Sequence, residues 1–148
     1  MGISKNLYAL LMKRKKDKVI TLSKLEILLE TVDFYSSDTS RRGITSTGCM
    51  YNGENGTHCA FGRCMLPKYQ KQGEKLKYNE ASVIQFLSKT NKKIDDVLQE
   101  KYQGHELHFW NSIQIFHDSK ENWDKSGVTF EGELAINRII ETYDLKTK

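Results

Sequence analysis

Gly48-Cys49-Met50-Tyr51-Asn52-Gly53-Glu54-Asn55-Gly56-Thr57-His58-Cys59-Ala60 is the stretch that decides the fold class. Short β-capable runs, Cys49-Met50-Tyr51 and Thr57-His58-Cys59, flank two turn signals, Asn52-Gly53 and Asn55-Gly56. That pattern predicts a β-hairpin. If Tyr51 faces Thr57, Cys49 faces Cys59 across the ladder, and a turn or short helix begins near Ala60. Outside this hairpin region, residues 41–66, the chain reads as helix. Residues 1–20 predict a basic N-terminal helix, with Ile3, Leu7, Leu10 and Leu11 on one face over 3–17. Ser23 and Glu26 form a capping-box pattern before a helix of about 12 residues that buries Leu25, Leu28, Leu29 and Val32. It should end in the polar stretch Tyr35–Ser40.

Residues 79–143 read as helical. Asn79 caps a helix through Phe86 and Leu87, and Ile94, Val97 and Leu98 mark another. Leu107–Phe116 is apolar and aromatic, with Phe109 and Trp110 belonging to the core and His105 and His108 to the surface. Ser119–Gly127 is a polar connection carrying Trp123. A last helix from about Thr129 to Tyr143 has Leu134, Ile136, Ile139 and Ile140 as its apolar set. The expected fold is α+β: a mainly helical single domain, 1–148, with a small antiparallel β-hairpin or sheet.

Composition narrows the function classes. The 148 residues suit one domain, and 28% charged residues are ordinary for a globular chain. With 23 Lys and Arg against 19 Asp and Glu, the net charge is +4. The basic run Lys13-Arg14-Lys15-Lys16, with Lys18, reads as a solvated helix end, and no DNA- or RNA-binding motif accompanies it. Nucleic acid is therefore not the expected partner. No apolar run spans a membrane and the N-terminal residues lack the h-region and cleavage site of a signal peptide, so a cytoplasmic protein is expected. Asn6 stands where a myristoylation start would carry Ser or Thr. Three cysteines argue against a disulfide framework.

Three constellations bear on chemistry. Cys49, His58, Cys59 and Cys64 lie within 16 positions, but only Cys59 and Cys64 approach zinc-ligand spacing. No metal or cofactor is expected, and Cys49 and Cys64 read as small buried hydrophobes. Cys59 at a strand-to-helix junction, with His117 and Asp118 downstream, forms a candidate thiolate nucleophile with its base. Adjacent residues on a helix diverge by about 100°, which argues against Asp118 orienting His117. Arg41, Arg42 and Arg63 flank the hairpin, and Tyr51, His117, Asp118 and Trp123 are placed to approach them. Guanidinium forks match phosphates, and aromatic faces stack on bases. This set predicts a site for a small phosphorylated or nucleotide-like ligand, in a binding protein rather than an enzyme.

The pattern Gly48-Cys49-Met50-Tyr51, Gly56-Thr57-His58-Cys59-Ala60-Phe61-Gly62-Arg63, then Ile113-Gln114-Ile115-Phe116-His117-Asp118 and Trp123 resembles an uncharacterised family of small phage and prophage proteins. The resemblance covers about residues 24–140, with a specific part of about 20 positions. It implies a phage accessory protein acting in the host cytoplasm, and accessory proteins of this kind often counter host defences. The expected function is sequestration of a nucleotide-derived immune signal, with a homo-oligomer placing ligand at its interfaces. The alternatives are a Cys-dependent hydrolase or transferase using Cys59, His117 and Asp118, and a protein-interaction module that inhibits a host enzyme.

Overall fold

The structure, a computed structural model, describes residues 21–42, 44–45, 48–49, 60–75, 87–88 and 90–145. The expected N-terminal helix and its basic run, the segment 50–59 and most of the helix capped by Asn79 lie outside the described residues.

Helix α1 (Lys24–Ser37) begins as its sequence dictates. Ser23 Oγ accepts the Glu26 N–H at 3.1 Å, and Glu26 Oε1 accepts the Ser23 N–H at 2.9 Å, satisfying two exposed donors reciprocally. Leu25, Leu28, Leu29 and Val32 are buried as expected, together with Ile27, Glu30, Thr31 and Tyr35. The helix ends at Ser37, inside the polar stretch expected to stop it; fully buried Tyr35 anchors its last turn and Ser37 Oγ donates back to Asp33 O at 2.8 Å. Asp38 then turns the chain by accepting from both the backbone and the hydroxyl of Ser40, which starts a 3-10 helix, Thr39–Arg42.

Strands β1 (Ile44–Thr45) and β2 (Gly48–Cys49) pair antiparallel, with Ile44 opposite Cys49. An antiparallel hairpin thus forms in the region the sequence marked, but one turn earlier. The expected pairing of Cys49 with Cys59 lies outside the described residues. Helix α2 (Ala60–Cys64) starts at Ala60, and α3 (Pro67–Lys75) follows with proline at its first position. One-turn helix α4 (Ile94–Val97) leads to an antiparallel bridge between Leu98 and Met65. There Gln99 Nε2 donates to the carbonyls of Arg63 and Met65, at 3.3 and 3.1 Å.

Helix α5 (Leu107–Asp118) is central: Phe109, Trp110 and Ile113 are fully buried. His105 is tied down rather than left at the surface, with Nε2 donating to Leu22 O at 2.7 Å. Two-residue strands β3 (Trp123–Asp124) and β4 (Gly127–Val128) form a second hairpin inside the expected polar connection. Gly127 has φ +117°, and a Cβ there would lie 3.2 Å from Ser36 Cβ, so glycine lets this hairpin dock on the end of α1.

Helix α6 (Phe130–Thr142) is capped by Thr129, whose hydroxyl accepts the Gly132 N–H at 3.1 Å. Ile136 and Ile139 are buried, but Leu134 is 41% exposed. Two residues span about 200° of helix, so Leu134 cannot share a face with Ile136. A single buried cluster joins α1, α2, α5 and α6, giving a mainly helical α+β domain with small antiparallel hairpins.

Candidate functional site

The end of α1 gathers the described members of the predicted set. Arg41, exposed on the 3-10 helix, folds back so that its Nη1 donates to Phe34 O at 3.2 Å, satisfying a carbonyl that the helix end leaves open. Its guanidinium carbon lies 4.7 Å from the Phe34 ring centroid. The Arg63 guanidinium carbon lies 4.8 Å from the same centroid. Two cations from distant segments therefore share one half-buried aromatic ring. Of Arg42 only the backbone is described, and Tyr51 and Cys59 lie outside the described residues.

Arg63 is also a structural cation. Its Nη2 donates to Glu30 Oε1 at 2.8 Å and its Nη1 to Tyr102 Oη at 3.2 Å. Tyr102 Oη donates to the same Glu30 oxygen at 2.5 Å. The Arg63 side chain is 13% exposed and that of Glu30 4%. This is a buried ion pair completed by a hydroxyl, which the low local dielectric strengthens. The Nε–H of Arg63 is buried and meets no acceptor among the described residues. Burial pushes the Tyr102 hydroxyl far above its usual range, and the neighbouring Cys64 up to about 11. Cys64 is thus an inert, protonated thiol, in keeping with the hydrophobe its sequence context indicated.

Tyr35, next to Phe34, carries the cluster inward. Its ring packs edge-on to His117 at 4.6 Å and to Trp123 at 6.1 Å. His117 is fully buried and Trp123 is 6% exposed. The Trp123 Nε1–H donates to His117 O at 3.1 Å, and its ring also packs on Phe116. These contacts make Trp123 a core ring rather than an open stacking surface.

His117 and Asp118 meet, against the divergence expected of helix neighbours. His117 Nδ1 donates to Asp118 Oδ1 at 2.9 Å. Asp118 is the last residue of α5, where the side chain is free to swing, and Gln114 draws it inward by donating from Nε2 to the same oxygen at 2.7 Å. Gln114 Oε1 accepts the Phe61 N–H at 2.8 Å. One buried amide therefore joins the first turn of α2 to the end of α5.

Phe34, Glu30, Tyr102 and Gln114 escaped the sequence reading. Gln114 had a signal: Trp110, Gln114 and His117 share one stripe of an apolar helix, where a polar side chain must find partners. Glu30 had the same one, beside Ile27 and Thr31 on the buried face of α1.

A separate groove of about 240 Å³ lies between α5 and α6, lined in part by Ser112, Ile115, Phe116, Arg138, Ile139 and Tyr143. The predicted site residues are not among its lining. Comparison with protein-family models, curated proteins and solved structures finds no match to this chain. No helix among the described residues is long and apolar enough to cross a membrane.

Proposed function

We propose that this chain binds a small phosphorylated or nucleotide-derived ligand at the Arg41–Phe34–Arg63 end of α1. The carrying observation is the pair of guanidinium groups set 4.7 and 4.8 Å from one Phe34 ring. Arg41 is exposed and offers its remaining N–H donors to a phosphate, while Arg63 is held in place by its ion pair with Glu30. Phe34 takes the aromatic role that Trp123, packed in the core, does not. The resemblance to small phage proteins supports the biological context: an accessory protein that sequesters a host immune signal.

The test is incubation with a mixed panel of nucleotide signals, filtration, heat denaturation and mass spectrometry of both fractions. The expected result is a ligand depleted from the filtrate and returned intact on heating. Arg41→Ala should weaken retention about ten- to a hundredfold, the loss of one charge-assisted hydrogen bond, while leaving the melting temperature within a few degrees. Unchanged retention by Arg41→Ala, or no retained ligand at all, refutes the site.

The His117–Asp118 pair at 2.9 Å favours a second reading, a Cys-dependent hydrolase or transferase with His117 as base to Cys59. It requires the ligand to return as fragments, and Cys59 to alkylate at neutral pH far faster than Cys64. Equal, slow labelling of both thiols removes it.

A further inference from the structure

We infer that Gln114 is a positioning residue that holds His117 as the Nδ1–H tautomer, leaving Nε2 as a hydrogen-bond acceptor. The inference rests on His117 being a working residue, as the second reading above requires. It narrows what His117 can serve: an O–H, S–H or N–H donor, and not an unprotonated phosphate oxygen.

The polarity of the hydrogen-bond chain is set at one end by backbone. The Phe61 N–H can only donate, so the Gln114 atom 2.8 Å from it is the amide oxygen. The Gln114 NH2 must then face Asp118 Oδ1, 2.7 Å away. A carboxylate oxygen only accepts, so the His117 nitrogen 2.9 Å from that same oxygen carries the proton. In the neutral ring Nε2 is then bare. His117 is fully buried against the edge of the Tyr35 ring. A second proton on Nε2 would place an added charge in the core.

A bare Nε2 accepts only from a donor group, so phosphate oxygens are left to the arginines. Under the second reading the donor is a thiol, whose proton passes to Nε2 as the sulfur becomes a thiolate.

The experiment is long-range 1H–15N correlation of the histidine rings in the uniformly 15N-labelled full chain at neutral pH, with no ligand added. The expected spectrum shows His117 protonated at Nδ1 and bare at Nε2. Asp118→Asn should keep that tautomer, because the Gln114 NH2 holds the new amide oxygen where the carboxylate oxygen was. Gln114→Ala combined with Asp118→Asn frees the new amide to present its NH2, and the ring should shift toward the Nε2–H tautomer. A wild-type His117 protonated at Nε2 overturns the inference. So does a flip in Asp118→Asn alone, or an unmoved tautomer in a folded double variant. If the double variant fails to fold, the wild-type and Asp118→Asn spectra still decide. Since the readout needs no ligand and no turnover, a failed binding assay leaves it intact.

Discussion

Removing Glu30 should be among the most damaging single changes to this domain. Its carboxylate is 4% exposed and its Oε1 accepts from Arg63 Nη2 at 2.8 Å and from Tyr102 Oη at 2.5 Å. Glu30→Ala leaves the Arg63 guanidinium, 13% exposed, without its counter-charge, and takes the acceptor from Tyr102. An uncompensated buried charge costs about 3–5 kcal/mol. The folding free energy of a domain is only about 5–15 kcal/mol, so this is a large share of it. At roughly 2–4 °C per kcal/mol for a chain of this size, the melting temperature should fall by about 6–20 °C. The assay is thermal and urea unfolding by circular dichroism, with the double variant Glu30→Ala, Arg63→Met beside it. Methionine keeps the aliphatic stem over Phe34 and removes the charge, so the double variant should recover a large part of the loss. A Glu30→Ala loss below about 1 kcal/mol would show that the pair is solvated. A double variant no more stable than Glu30→Ala would show that packing, not charge, set the cost.

Two further outcomes follow from particular contacts. A Cβ on Gly132 would lie 2.5 Å from Asn122 O and 2.6 Å from Val128 Cγ1, so Gly132→Ala should cost roughly 1–3 kcal/mol by forcing α6 off the β3–β4 hairpin, read as a lowered urea midpoint. A gain in stability, the usual effect of Gly→Ala within a helix, would contradict that packing. The Cys64 thiol is raised to about 11 in the folded chain against 9.0 for the ordinary group, so above pH 9 the unfolded state loses its proton first. The folded state then binds more protons, and stability should fall by about 2–3 kcal/mol as pH rises from 9 to 11. Cys64→Ala should flatten that slope in denaturant titrations at pH 8, 9 and 10, and an unchanged slope would assign it to another group.

Much of the fold was legible because it depends on local rules. The Ser23–Glu26 capping box, the helix start at Ala60 and the Thr129 cap each rest on neighbours within four positions. What local rules did not reach were contacts between segments: the sequence reading did not foresee Ile44 opposite Cys49, or the hairpin at Trp123. Leu134 was placed in the apolar set by its type, although its position on the helix faces solvent.

The candidate site divides the same way. Its residue types, arginine, histidine and aspartate around a cysteine element, were visible as chemistry in the chain itself. Their assignments were not, because ion pairs and hydrogen bonds join residues far apart in sequence. Arg63 finds Glu30 at 33 positions' remove, and Gln114 finds Phe61 at 53. Composition and periodicity therefore determined a helical domain with a small hairpin and a short roll of reactive side chains. Only the packed structure decided which arginine is committed to the core, which ring receives the two cations, and which nitrogen of His117 carries the proton. Each of those outcomes depends on a distance of a few ångströms between segments that no local rule relates.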